Sequence, residues 1–139
     1  MTDIEIAVKH LDGHSICLCK DGKYFTDDKR GIVPMMHFIS EDRDLSGYSV
    51  ADVVVGKAVA MLFVKSGVKC VHAKVISQVG KDYLDNHGVC CTYDVLTDRI
   101  INRMGTDICP MEKAVSEIDD FQTAYDTLKA KLDELRATV

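Results

Sequence analysis

Residues 50–64 read Val50-Ala51-Asp52-Val53-Val54-Val55-Gly56-Lys57-Ala58-Val59-Ala60-Met61-Leu62-Phe63-Val64, and the way this run folds decides the architecture. Apart from Asp52 and Lys57 it offers no polar face. An element that is apolar all round has to be buried on every side. A buried strand competes with a buried helix here, because valine is β-branched. The length of the run and its closing Lys65-Ser66-Gly67 favour one helix packed against a sheet.

Outward from that run the punctuation is clear. Ile4, Ala7, Val8 and Leu11 recur at helical spacing before Gly13. Ser15–Lys20 and Lys23–Thr26 read as two strands, and Asp21-Gly22 between them is a hairpin turn whose central positions need positive φ. Gly31 breaks the chain, Pro34 opens a short helix, and residues 41–47 form a polar loop. Lys69–Ile76 is a strand, Gln78–His87 a helix stopped by Gly88, and Val89–Val95 a strand. A second short helix runs from Pro110 to Ile118, and a turn is expected at Gly105. Phe121, Tyr125, Leu128, Leu132 and Leu135 form one stripe of a C-terminal helix. The order α-β-β-α-β-α-β with a helical tail predicts a single α/β domain over 1–139. Its architecture is a three-layer α-β-α sandwich with a mixed sheet.

Composition limits the function classes. The chain has 139 residues, 47% hydrophobic, with 17 basic against 22 acidic side chains and a formal charge of −5. One core of that size buries roughly two-thirds of the unfolded surface. The acidic balance, with no basic block, argues against a nucleic acid polymer as partner. No apolar run is long enough to span a membrane, and the acidic start MTDIEIAVKH does not resemble a signal peptide. A cytoplasmic location is expected. The six cysteines are placed as packing residues rather than as a disulfide framework, with Cys109 set apart.

Several chemistries lack their signatures. Gly56-Lys57 is followed by Ala58 and preceded by no phosphate-cradling glycine, so there is no Walker A loop. GxGxxG, HExxH, GxSxG and CxxC are absent. Cys17 and Cys19 share a strand face, and with Cys90 or Cys91 and His72 they suggest a metal site only weakly; core packing explains them better, and no metal or cofactor is expected.

Two places carry candidate chemistry. In Asn102-Arg103-Met104-Gly105-Thr106-Asp107-Ile108-Cys109-Pro110-Met111-Glu112-Lys113, proline and glutamate mark a helix start and make Cys109 its N-cap. A sulfur there faces free backbone N–H groups, which favour thiolate, and Arg103 adds a guanidinium fork for an anion. The competing explanation is a loop whose residues only set a turn. Asp52 and Lys57 are the other pair, read as a cap and a snorkelling amine at the rim of the buried helix, with Ser77 a natural N-cap nearby. The candidate ligand contacts are therefore Asp52, Lys57, Ser77, Asn102, Arg103 and Glu112, and the candidate nucleophile is Cys109.

The segments Val50-Ala51-Asp52, Val55-Gly56-Lys57-Ala58, His72-Ala73 with Ser77, Ile101-Asn102-Arg103, and Cys109-Pro110-Met111-Glu112-Lys113-Ala114 resemble domain-of-unknown-function family 1893. The Cys-Pro-Met-Glu segment is the most specific part of that likeness. The resemblance implies a cytidine deaminase-like fold. Deaminases of that fold place His or Cys, then Glu two residues on, at the start of one core helix, and Pro-Cys-x-x-Cys at the next. Here the corresponding starts are expected at Ala51-Asp52-Val53 and Ser77-Gln78-Val79-Gly80, which carry none of these. Zinc-dependent deamination is therefore not expected. The resemblance leaves a metal-free cleft for a nucleotide-like or phosphorylated small molecule. Its rivals are a thiol enzyme or redox-responsive protein using Cys109, and an interaction module, such as a homo-oligomer, docking through the Phe121–Leu135 stripe.

Overall fold

The computed structural model describes residues 1–101 and 108–137. Helix α1 (Asp3–His10) starts at a capping box, in which the Thr2 hydroxyl accepts the Glu5 N–H and the Glu5 carboxylate accepts the Thr2 N–H. Strands β1 (Ile16–Lys20) and β2 (Lys23–Asp27) meet at Asp21 and Gly22, whose φ values of 53° and 79° make the expected tight turn. The Asp3 carboxylate accepts both turn N–H groups at 2.9 Å and so ties α1 to the hairpin. Those bonds hold its carboxyl below its ordinary value.

The run 50–64 is two elements, not one helix. Ser49–Val55 is strand β3, Gly56 is an extended N-cap, and Lys57–Lys65 is the next helix after α2 (Val33–Ser40), α3. The cause is the position of β3 in the sheet. Strand order is β2-β1-β3-β4-β5, with β4 at Cys70–Ser77 and β5 at Cys90–Thr97, so β3 is central. Val50 faces one layer of helices and Ala51 the other, and neither has exposed surface. A strand covered on both faces loses the apolar–polar alternation that identifies a strand in sequence. The sheet therefore has five strands where the sequence led to four. Asp52 lies inside β3, not at a helix start.

β1 runs antiparallel to β2 and β3, while β3, β4 and β5 are parallel. Helices α3 and α4 (Gln78–Asn86) make the two parallel crossovers, and their common handedness puts both on one face. There Met35, Phe63, Leu84 and Leu128 join Leu18, Val50 and Val71 in the main core. On the opposite face α1 packs Ala7 and Leu11 over Cys17, Cys19 and Ala51. These are the three layers of the α/β sandwich. Cys17 and Cys19 pack as expected; Cys90 does not, since it is exposed on the edge strand.

The chain closes with α5 (Pro110–Val115), three residues shorter than expected, and α6 (Phe121–Ala137). Phe121, Tyr125, Leu128 and Leu132 all pack on the main core, while Leu135 is exposed. The expected turn at Gly105, with Asn102 and Arg103, lies outside the described residues. No described helix is long and apolar enough to cross a membrane.

Candidate functional site

Two helices start side by side at the carboxyl ends of the parallel strands. Gly56 begins α3 after β3, and Ser77 begins α4 after β4. The Ser77 hydroxyl is fully buried and accepts the Gly80 N–H at 3.1 Å, so it caps α4 as the sequence suggested. The two starts touch: a Cβ on Gly80 would meet the Gly56 carbonyl carbon at 3.0 Å. Glycine at 80 lets the two backbones approach this closely, since a side chain there would crowd the Gly56 carbonyl.

The α3 start has no cap of its own and takes one from 55 residues away. The Glu112 carboxylate of α5 accepts the Lys57 and Ala58 N–H groups, each at 2.7 Å. A helix N-terminus offers unpaired donors and a positive dipole end, and a carboxylate satisfies both. Burial pushes the Glu112 carboxyl up, and the two N–H groups and the Lys57 charge pull against that. A Cβ on Gly56 would overlap this carboxylate, so Gly56 is what lets Glu112 dock.

This arrangement bears on the zinc that the deaminase-like resemblance implies. The true helix starts are Gly56-Lys57-Ala58 and Ser77-Gln78-Val79-Gly80, the first five residues later than expected. Neither offers an imidazole or thiolate, and the N-terminus of α3 is filled by Glu112. These residues do not fit a zinc ion.

Lys57, Glu112, Asp82, Asp98, Arg99 and Asp119 line a cleft of about 560 Å³ at the carboxyl ends of β3–β5. Open parallel sheets place ligands at that end of their strands. The Lys57 side chain is only 13% exposed, and its ammonium donates to the Ser116 carbonyl at 3.2 Å and lies 3.8 Å from Asp119. Tyr83 donates its hydroxyl to the Asp119 carbonyl at 3.0 Å, holding the α5–α6 turn against α4. Val79, Ile100 and Ile108 supply apolar wall. Asp82, Asp98, Arg99 and Asp119 were missed by sequence reading. The Asp98-Arg99 step directly after a strand in a parallel sheet was the available signal, lost because β5 was ended at Val95.

The structure does not gather the remaining candidates. Asp52 lines a separate cleft with His14 and Arg30. Burial pushes its carboxyl up to about 8, opposed by backbone N–H groups, Val54 foremost. Cys109 is the N-cap residue of α5, half-buried, but its sulfur makes no capping bond and α5 is only six residues long. It lines a small cavity of about 80 Å³ beside Val54, Met111 and Glu112. Among the described residues lining that cavity, Glu112 is the only other ionisable group, and α3 already holds it. Ser77 is buried beneath both helices, and Asn102 and Arg103 fall outside the described residues.

A family model described as "Domain of unknown function (DUF1893)" matches residues 7–132. Among solved structures, the chain is similar to a DUF1893 family protein from Thermotoga maritima. That match has 27% identity and a TM-score of 0.82, over 89% of this chain and 86% of that one. A diaminohydroxyphosphoribosylaminopyrimidine deaminase/5-amino-6-(5-phosphoribosylamino)uracil reductase from Thermotoga maritima also matches, at 18% identity and a TM-score of 0.45, covering 66% of this chain and 34% of that chain. No curated protein matches.

Proposed function

The chain belongs to the DUF1893 family, and we propose that it binds a nucleotide-like small molecule in the cleft at the carboxyl ends of β3–β5. The observation that carries this reading is the cleft itself. It has room for a molecule of that size, an apolar wall, and polar side chains from three separate elements. Val79, Ile100 and Ile108 offer a surface for a flat ring, and Asp82 and Asp98 offer acceptors for ring and amino N–H groups.

Charge decides how much phosphate such a ligand carries. Among the described lining residues, Lys57 and Arg99 stand against Asp82, Asp98, Glu112 and Asp119. A triphosphate would meet more acid than base, so the ligand is a nucleoside or a monophosphate whose one phosphate lies at Lys57. No chemical step is assigned, because among the described residues no base, nucleophile and electrophile converge in the cleft.

Calorimetric titration with nucleosides, their monophosphates and their triphosphates tests this. Nucleosides or monophosphates should bind more tightly than triphosphates, and Lys57→Met should abolish any gain from the single phosphate. Failure of all three sets to bind at millimolar concentration overturns the reading.

A further inference from the structure

The second cleft, about 390 Å³, opens beside the start of β1, between residues 13–15 and 28–31. Its floor is Asp52, a carboxyl in the middle of the central strand and only 6% exposed. The strand neighbours opposite it, Ile16 and Ala73, are apolar and buried. One of its oxygens accepts the Val54 N–H at 3.3 Å, and the side chain makes no ion pair among the described residues. Arg30 also lines the cleft and likewise forms no ion pair among them. The other titratable groups among the described residues that line the cleft are His14 and Asp28, and these bind each other at 2.5 Å. A buried acid and an arginine without an ion pair among the described residues therefore line one cleft.

We propose that this cleft binds a small organic carboxylate, held between the buried Asp52 carboxyl group and the Arg30 guanidinium. A planar carboxylate matches the guanidinium fork, and its second oxygen takes the acid's proton in a carboxyl–carboxylate hydrogen bond. With burial pushing Asp52 up to about 8, the acid holds its proton at neutral pH and adds no negative charge to repel the ligand. A cationic ligand fits less well, because Arg30 repels it and Asp52 has no charge to offer. This site is distinct from the nucleotide-like cleft, and neither Asp52 nor Arg30 lines that one.

The test is an NMR titration of the full chain with benzoate, with putrescine as the cationic comparator and inorganic phosphate as the tetrahedral one. Benzoate should shift amides of residues 13–15, 28–31 and 52–54, and its affinity should fall about tenfold between about pH 7 and about pH 9 as Asp52 ionises. Asp52→Asn keeps a donor and cannot ionise, so it should bind benzoate with no fall over that range. Arg30→Gln should lose binding at both pH values, whereas His14→Gln should keep the pH dependence. The proposal is overturned if benzoate moves none of these amides, if putrescine or phosphate binds in preference, or if wild-type affinity does not fall with pH. A native amide spectrum for each variant separates lost binding from lost fold.

Discussion

Gly56 and Glu112 compete for one volume: the carboxylate that caps α3 sits where a Cβ on residue 56 would be. The backbone at 56 is extended, with φ −105°, and any residue can adopt it. Gly56→Ala therefore carries no backbone strain, and its cost is the displaced carboxylate. Removing that carboxylate with Glu112→Ala should cost about 2–4 kcal/mol, from two charge-assisted hydrogen bonds. In the Glu112→Ala background Gly56→Ala should cost much less than in the wild type, a coupling of about 1 kcal/mol or more by denaturant unfolding. Additive costs would show that the two residues do not share that space.

Asp52 makes stability fall as pH rises. Its carboxyl titrates at about 8 in the fold, above the 3.8 of the free side chain. The folded state then binds more protons than the unfolded one between those values, and unfolding free energy declines across that window. Asp52→Asn should abolish the decline. It should unfold with a free energy up to about 4 kcal/mol higher than wild type near pH 7, and the gain should vanish near pH 4. Chemical denaturation at several pH values checks the sign; a wild type that gains stability from pH 4 to pH 8 relative to Asp52→Asn contradicts it.

The cysteines should react in order of burial rather than of sequence context. Cys90 is exposed, while Cys17 and Cys19 lie under α1 with no exposed surface. Burial pushes the Cys17 thiol up to about 11, and Cys70, beside Cys90 on the neighbouring strand, up to about 12. Native alkylation followed by peptide mass spectrometry should label Cys90 first and Cys17 and Cys19 only on unfolding. Labelling of Cys109 far ahead of Cys90 would instead support the thiol-enzyme alternative.

Helix α6 is part of the core. Leu128 has no exposed surface and packs with α3 residues in the main cluster. Leu128→Ala should cost about 2–5 kcal/mol by denaturant unfolding. A cost under about 1 kcal/mol would mean that the helix docks weakly and that its stripe is free for a partner.

Local chemistry was legible in the sequence wherever a few neighbouring residues settle it. Asp21-Gly22 dictates its turn because both positions need positive φ, and the observed values supply it. Ser77 dictates its cap, and the Phe121–Leu132 spacing dictates the buried stripe of α6. The centre of the sheet was not legible. Residues 50–64 are apolar apart from Asp52 and Lys57 because β3 is covered on both faces and α3 is buried, so one continuous run hides two elements. Gly56 is the boundary between them, and nothing nearby in sequence shows that Glu112 will arrive there to cap the helix.

The candidate site divides along the same line. By itself the sequence determined the α/β class, the hairpin and most of the helices, because each of these depends on residue type and short spacing. Tertiary structure alone decided that Lys57 and Glu112 share a cleft with Arg99, that Asp52 belongs to a different one, and that Cys109 contributes no cap. Those relationships join residues tens of positions apart. They are fixed by strand order and by which helix start a distant carboxylate reaches, and no local pattern records either.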